Sequence, residues 1–225
     1  DLDGSLLDHD SYSFEPARPM LQALEDRGVP VVPTSSKTRA EIEQIRSELG
    51  NRHPFIVENG AAVFIPCGYF PRQPEGTVER EGYWVYECSA GRSQWLQLLA
   101  GLEPGYPGEY EYFYRAGPAG ISTMTGLGPA AAELATQREY SEPVQWLGSD
   151  ARKLEFAAQL RGAGANPLQG GRFLTVAGDC DKGRALAWLR EAYRGAWSLK
   201  QVHDLAAGDS GNDVAMLEAA QTALV

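Results

Sequence analysis

Short apolar runs alternate with amphipathic helical segments near both ends of this chain, and no other feature of the sequence constrains the fold as strongly. The segments 15–28 and 38–50 carry apolar side chains at helical spacing, and each ends at a glycine. The segments 29–36 and 54–66 contain short apolar runs typical of buried strands. This alternation predicts an α/β fold in which helices cover a mostly parallel sheet.

The pattern changes between residues 68 and 177. Aromatic side chains become dense there, Gly and Pro recur between short runs, and the regular alternation is lost. It returns from residue 178 onward. We therefore predict two units: an α/β core formed by 1–67 and 178–225, and an inserted α+β unit formed by 68–177.

Charge and composition exclude several classes of function. The 225 residues carry a formal net charge of -10 at pH 7, which argues against a surface for nucleic acid or for an anionic membrane. No apolar run reaches the length of about 18 residues that a membrane-spanning helix needs. The three cysteines form no CxxC pair and indicate neither a zinc site nor a disulfide framework. We expect a cytoplasmic protein, and the sequence leaves its oligomeric state open.

Four short polar motifs fall at the ends of predicted strands or at the starts of predicted helices. They are DLDGSLLD at 1–8, PTSSKT at 33–38, DKGRAL at 181–186 and GDSGND at 208–213. Ligands of open α/β sheets bind beyond the carboxyl ends of the strands, so we expect the motifs to meet at one site. Together they offer a nucleophile, a cation and carboxylates for a hard metal ion, which are the groups that phosphoryl transfer requires.

Residue type suggests a role for each catalytic candidate. Asp1 is the candidate nucleophile, because a carboxylate can attack phosphorus and form an aspartyl phosphate. Asp3 is the candidate general acid and base. Ser35 can donate a hydrogen bond to a phosphate oxygen, and Lys182 adds a cation for the charge that develops there.

The last motif supplies candidate metal ligands. Asp209 and Asp213 are four residues apart, and Asn212 lies between them. Magnesium prefers oxygen ligands in near-octahedral geometry, and carboxylates at this spacing suit it. A bound cation and Lys182 would allow a chain of net negative charge to hold a phosphate.

At these residues the chain resembles the haloacid dehalogenase (HAD) superfamily of phosphatases, with one similar stretch for each of that superfamily's four motifs. The resemblance implies a Rossmann-like HAD core, here 1–67 and 178–225, with an inserted C2-type α+β cap, here 68–177, that selects the substrate. It also implies a Mg²⁺-dependent enzyme in which Asp1 attacks phosphorus, Asp3 moves protons and gives a backbone carbonyl to the metal, and Asp209 ligates it. The candidate metal ligands are therefore Asp1, Asp3, Asp209 and Asp213.

Finer features resemble one branch of that superfamily. The stretches SSKT, VENGA, TGLGPAAAELATQREYSEP and GGRF are similar to the mannosyl-3-phosphoglycerate phosphatases. That resemblance implies hydrolysis of mannosyl-3-phosphoglycerate to mannosylglycerate, a compatible solute. Three alternatives stay open: another capped phosphatase acting on glucosyl-3-phosphoglycerate, sucrose phosphate or a hexose phosphate; a phosphomutase; and a non-catalytic binding protein of the same fold.

Polar side chains near the motifs and in the cap are the candidate substrate-binding groups. A glycerate carboxylate and sugar hydroxyls call for cations and for hydrogen-bonding groups, and the planar fork of arginine suits a carboxylate. The loop 125–127 is expected to shape the same pocket. The candidates are Lys37, Asn59, Arg138, Glu142, Arg172 and Asn212.

The two ends of the chain raise a further expectation. No apolar strand precedes Asp1, and the chain ends at Val225 after one predicted strand. Ser5 stands where threonine is commoner in the superfamily, a change that keeps the hydroxyl. We expect the core to lack a segment at each end, and we expect the chain as it stands to be inactive.

Overall fold

The computed structural model describes residues 1–8 and 12–225. Its helices are α1 Arg18–Glu25, α2 Arg39–Leu49, α3 Arg92–Leu102, α4 Phe113–Thr125, α5 Pro129–Thr136, α6 Asp150–Gly162, α7 Lys182–Ala196 and α8 Val214–Ala219. Its strands are β1 Phe55–Val57, β2 Ala62–Pro66, β3 Val78–Arg80, β4 Tyr83–Glu87, β5 Tyr110–Tyr112, β6 Glu142–Trp146, β7 Leu168–Gly170, β8 Phe173–Val176, β9 Leu205–Ala207 and β10 Thr222–Leu224. Single 3₁₀ turns span Glu15–Ala17, Glu58–Gly60, Glu103–Gly105 and Gly211–Asp213.

The first sheet has the strand order β1-β2-β4-β3, and every pairing within it is antiparallel. Phe55 pairs with Phe64, and Phe64 also pairs with Val85. The predicted boundary at residue 67 thus falls inside this sheet. We propose that the inserted unit begins after β4, where α3 starts, and ends near residue 177.

The inserted segment forms a second sheet of its own, with the strand order β5-β6-β8-β7 and antiparallel pairing throughout. Trp95 of α3 and Phe156 of α6 pack with Tyr110 of β5 in one buried cluster. Aromatic side chains bury large apolar areas, so they account for much of the stability of this unit. The dense aromatic residues of the cap are therefore largely core residues.

The expectation of a mostly parallel sheet is not confirmed in the described residues. Strands β9 and β10 pair in parallel, and a single parallel bridge joins Thr34 to Ile56. A local parallel bridge joins Asp3 to Leu7. The α/β combination of helices and strands is confirmed, but both four-stranded sheets are antiparallel.

The predicted strand at 29–33 does not form a ladder. Pro30 and Pro33 stand on either side of two valines, and a proline has no backbone N–H to donate to a neighbouring strand. The carbonyl of Pro33 still accepts from the amide of Ile56 at 2.8 Å, and the Ser35 amide donates to the Ile56 carbonyl at 3.1 Å. These bonds place the second motif at the end of β1.

Helix α2 begins with the predicted capping box. The hydroxyl of Thr38 accepts from the Glu41 amide at 3.2 Å, and the Glu41 carboxylate accepts from the Thr38 amide at 2.8 Å. Gly50 ends the helix with a φ of 65°, a left-handed conformation that glycine adopts without strain. The same threonine hydroxyl donates to the carbonyl of Leu134 in α5 at 3.1 Å. The start of α2 therefore also contacts the cap.

None of the helices in the described part of the chain is both long enough and apolar enough to cross a lipid bilayer.

Candidate active site

Lys182 brings three of the four motifs together. It is the first residue of α7, and its side chain is almost completely buried. Its Nζ lies 2.7 Å from Oδ1 of Asp1 and 2.6 Å from Oδ1 of Asp213. The amino nitrogen of Asp1 donates to the carbonyl of Ala207 at 2.7 Å, which places Asp1 beside the end of β9.

Burial and pairing set the ionisation of this cluster. Burial lowers the pKa of Lys182, while its hydrogen bond to Asp213 and the charges of the surrounding carboxylates oppose that shift. For Asp213, burial acts to raise the pKa, but the hydrogen bond and charge of Lys182 outweigh it and lower the pKa. The carboxylate of Asp213 is therefore ionised at neutral pH, and the ammonium group of Lys182 balances its charge.

Three carboxylates form a group that could hold a divalent cation. Asp1, Asp209 and Asp213 each offer an oxygen, and these oxygens all lie within 4.8 Å of one another. Gly4 allows the first loop to approach them: it has a φ of 76°, and an added Cβ would lie 2.1 Å from Oδ2 of Asp209. An all-oxygen donor set of this size fits a hard cation.

Asp3 points its carboxylate toward the second motif. Its Oδ2 lies 2.9 Å from Nζ of Lys37. Its Oδ1 is buried and has no hydrogen-bond partner among the described residues. An unpaired buried oxygen is costly, so this atom could accept a hydrogen bond from a ligand in the cleft. The Asp3 side chain does not join the three carboxylates.

Ser35 is held tightly at the end of β1. Its carbonyl accepts from the amide of Asn59 at 3.0 Å, and its hydroxyl accepts from the amide of Lys37 at 3.3 Å. The residue is almost fully buried. The two residues that follow it, Ser36 and Lys37, line the cleft directly.

A cleft of about 350 Å³ lies over the carboxylates, between the motifs and the cap. Residues from the motifs and from the turn after β1 form its floor, whereas α4, α5, β8 and the segment before β6 form its roof. The residues that line it include Asp1, Asp3, Lys37, Asn59, Asp209, Asn212, Phe113, Thr125, Leu127, Arg138 and Phe173. The floor is acidic, and the roof combines apolar side chains with the guanidinium of Arg138.

Four of the six predicted substrate-binding residues line this cleft. Lys37 and Arg138 bring positive charge to it. Asn212 donates to Oδ1 of Asn59 at 2.9 Å, so each of these two side chains orients the other. The expected pocket loop at 125–127 also reaches the cleft: Thr125 ends α4, and Gly126 follows it with a φ of 84°.

The other two predicted residues lie elsewhere. Glu142 is fully buried inside the cap, where its carboxylate accepts from Nε of Arg92 at 2.6 Å and from the amide of Tyr114 at 2.8 Å. Arg172 donates to the carbonyls of Met124 and Thr125 at 3.1 and 3.0 Å. Arg172 therefore supports the loop above the cleft and does not line it. Spacing along the chain could not reveal either arrangement, because both depend on contacts between distant segments.

Sequence reasoning assigned no role to Glu58, which the structure places at a junction of several site elements. It is fully buried and accepts hydrogen bonds from the segment 139–141. A glutamate between two apolar runs, as in FIVENGAAVF, was the available signal. A buried carboxylate must be paired, so its position predicts a network even where the partners are unknown.

Comparison with known proteins identifies the family. The model of the family described as haloacid dehalogenase-like hydrolase matches residues 1–69, and that of sucrose-6F-phosphate phosphohydrolase matches 168–225. A haloacid dehalogenase-like hydrolase from Bacillus subtilis has a similar fold, with a TM-score of 0.66 at 20% identity over 99% of this chain and 86% of its own.

Two curated relatives match almost the whole chain. A glucosyl-3-phosphoglycerate/mannosyl-3-phosphoglycerate phosphatase from Methanococcoides burtonii is 37% identical over 97% of this chain and 80% of its own length. A mannosyl-3-phosphoglycerate phosphatase from Pyrococcus horikoshii is 36% identical over 100% of this chain and 88% of its own length. The chain therefore belongs to the haloacid dehalogenase-like hydrolases, as its motifs indicated. Within that family it is an enzyme of the phosphatase class.

Proposed function

We propose that this phosphatase is a cytoplasmic, Mg²⁺-dependent enzyme that hydrolyses mannosyl-3-phosphoglycerate to mannosylglycerate and phosphate. This choice of substrate is supported by the near full-length similarity to proteins named mannosyl-3-phosphoglycerate phosphatase, two of which are 36% identical to this chain. The cleft above the carboxylates supports it, since it has room for a small glycosyl phosphate and places two cations beside an acidic floor.

The proposed reaction proceeds through two displacements at phosphorus. The Asp1 carboxylate attacks phosphorus, and the bond from phosphorus to the glycerate oxygen breaks while Asp3 gives that oxygen a proton. Water then attacks the aspartyl phosphate and gives a proton to Asp3, which frees phosphate and restores Asp1. Lys182, 2.7 Å from Asp1, offsets the negative charge that gathers there.

The metal would be held by the carboxylates of Asp1, Asp209 and Asp213, together with the backbone of Asp3. When bound there, Mg²⁺ supplies positive charge that draws the phosphate group toward an acidic floor and stabilises its transferring oxygens. Lys182 already neutralises part of the negative charge of this group, so the three carboxylates can stay close together before a cation binds.

The remainder of the substrate would contact the roof of the cleft. Lys37 and Arg138 are the cations that would receive the glycerate carboxylate, because both line the cleft and arginine can bind a carboxylate with two parallel hydrogen bonds. Asn59 and Asn212 would offer hydrogen bonds to phosphate or sugar oxygens. The apolar roof at Phe173 would exclude water from the reacting group.

Glucosyl-3-phosphoglycerate is the second candidate substrate. Two relatives, at 37% and 34% identity, are named for both glycosyl phosphoglycerates. Glucose and mannose differ in the orientation of one hydroxyl group, and a pocket discriminates weakly when no buried group depends on that hydroxyl. We therefore propose that one site accepts both compounds.

Phosphate release from a panel of substrates tests the proposal. The full-length protein should hydrolyse mannosyl- and glucosyl-3-phosphoglycerate with a kcat/KM at least about tenfold above that for hexose phosphates or sucrose phosphate, and a chelator should abolish the activity. Asp1→Asn should abolish it too, whereas Asp26→Asn, an exposed carboxylate bonded to Gln22, should not. Equal turnover of every sugar phosphate would contradict the proposed substrate. Transfer without phosphate release would identify a mutase, and binding without turnover a non-catalytic protein.

A further inference from the structure

The turn Glu58–Gly60 joins β1 to β2 and lies against two of the site motifs. Its three residues have positive φ values of 49°, 61° and 91° in order. The amide of Glu58 donates to the carbonyl of Lys37 at 3.0 Å, and the amide of Asn59 donates to that of Ser35, also at 3.0 Å. An added Cβ on Gly60 would lie 2.1 Å from the carbonyl oxygen of Asp181. Non-glycine residues rarely adopt this conformation, and it persists only where the surroundings impose it.

The carboxylate of Glu58 reaches from this turn into the cap. One oxygen accepts from the amide of Glu139 at 2.7 Å. The other accepts from the amide and the hydroxyl of Ser141 at 2.8 and 2.6 Å, and from the amide of Tyr140 at 3.3 Å. The side chain is fully buried, and three successive backbone amides therefore converge on a charge that has no access to water.

Arg138 directly precedes these amides and completes the junction. Its Nη2 donates to the carbonyl of Ser36 at 2.9 Å and to the hydroxyl of Ser141 at 3.0 Å. Its Nε lies 3.5 Å from Oε2 of Glu58. The guanidinium is mostly buried yet lines the cleft. Ser36 and Ser141 therefore hold this cation at the cleft, and Ser141 is in turn bonded to Glu58.

We propose that Glu58 is a positioning residue for the phosphatase reaction. Its carboxylate fixes the segment 138–141 of the cap to the turn after β1, and thereby holds Arg138 where it meets the part of the substrate beyond the phosphate. Glu58 is not among the residues that line the cleft, so it acts through Arg138. The inference rests on the proposed function only in assuming that the cleft binds a phosphate ester larger than the phosphate itself.

Glu58→Gln tests this role, because it preserves the shape of the side chain and turns one acceptor into a donor that faces backbone N–H groups. Hydrogen exchange of the amides at 139–141 should accelerate by about tenfold or more. For the glycosyl phosphate that the wild-type enzyme hydrolyses fastest, KM should rise about tenfold with a smaller change in kcat. For p-nitrophenyl phosphate, which has neither a carboxylate nor a sugar hydroxyl for Arg138 to bind, kcat/KM should change by less than about threefold.

Glu109→Gln is the matched control. Glu109 lies in the cap and pairs with Arg152 at 3.0 Å, and its substitution should leave both the exchange at 139–141 and the KM unchanged. If Glu58→Gln does not fold, Ser141→Ala removes one donor to the same carboxylate. That variant should shift exchange and KM in the same direction by about threefold.

Unchanged exchange at 139–141 would overturn the proposal. So would an equal loss of kcat/KM for the glycosyl phosphate and for p-nitrophenyl phosphate, because the effect would then run through the floor of the site or through general destabilisation. A different preferred sugar would refute the proposed substrate while leaving this comparison intact, since exchange needs no substrate and the kinetics use whichever glycosyl phosphate is turned over fastest.

Discussion

At the scale of single residues, Lys182 balances the negative charge of the site. It is a buried ammonium between the carboxylates of Asp1 and Asp213. Burial alone would favour its neutral form, and it stays charged because Asp213 is itself buried and ionised beside it. The two groups stabilise each other, and neither would be tolerated there alone.

Replacing Lys182 by Met should therefore affect both activity and stability. Turnover should fall by about a thousandfold or more, because charge on the reacting phosphate loses its neutralising partner. The free energy of unfolding at pH 7 should fall by about 3 kcal/mol or more, because Asp213 becomes an unpaired buried charge. Phosphate release and urea denaturation measure the two effects, and Lys200→Met, at an exposed position, should change neither.

The destabilisation by Lys182→Met should depend on pH in a defined direction. The pair lowers the pKa of Asp213 below its ordinary value of 3.8. Its stabilisation is therefore fully present above that value and is lost as the pH falls through the lower pKa of the folded protein. The stability difference between wild type and variant should be largest near neutrality and should shrink below pH 3.8. A difference that stays unchanged well below pH 3.8 would contradict the ionised pair.

At the scale of elements, the start of α2 connects local sequence to the assembly of the site. The capping box at Thr38 is specified by two residues three apart, and the structure confirms it. Thr38, the N-cap residue, is also the last residue of the second motif, so the loop that presents Lys37 to the cleft is fixed at both ends. The prolines of the preceding segment had the opposite effect, since they prevented the strand that its valines predicted.

Thr38→Ala should measure how much this capping box contributes to the stability of the protein. The loss of the bond from the Glu41 amide should destabilise the protein by about 1 kcal/mol, and the loss of the bond to the Leu134 carbonyl should add to that cost. Thermal or urea denaturation gives the value. Thr123→Ala removes a hydroxyl bonded to the Ala119 carbonyl within one helix and should cost less. Equal losses would mean that the capping box is of no special importance.

At the scale of the whole molecule, the cleft reconciles a formal net charge of -10 with an anionic substrate. Lys37, Arg138 and Lys182 come from segments far apart in sequence, and folding gathers them around the carboxylates. Local fields in a cleft can reverse the effect of the overall charge. A cation held by Asp1, Asp209 and Asp213 would add to this field.

Binding of Mg²⁺ should therefore raise the thermal stability even without substrate. Saturation with the ion stabilises the folded state by mass action, which corresponds to a shift in the unfolding temperature of about 2–4 °C for each kcal/mol in a chain of this size. Scanning fluorimetry with and without Mg²⁺ measures it. Asp209→Asn should reduce the shift, and Asp179→Asn, an exposed carboxylate paired with Arg184, should leave it intact. An undiminished shift in Asp209→Asn would place the ion elsewhere.

The amino-acid sequence alone determined the features that depend on neighbours along the chain. The capping box at Thr38, the helices that bear apolar stripes, and the motifs that carry Asp1, Lys182 and Asp209 were all visible in it, because residue type and short spacing decide them. The family followed from these same motifs. Segment boundaries were less visible, because a strand such as β4 belongs to whichever sheet offers it a partner.

Only the tertiary structure decided which polar side chains meet at the cleft. Glu142 and Arg138 are four residues apart and equally polar in sequence, yet one is sealed against Arg92 inside the cap and the other lines the cleft. Glu58 gave no sign of its partners, which lie more than 80 residues away along the chain. The physical reason is that a buried charge is stabilised by whichever donors folding brings to it, and those contacts are not encoded in local spacing.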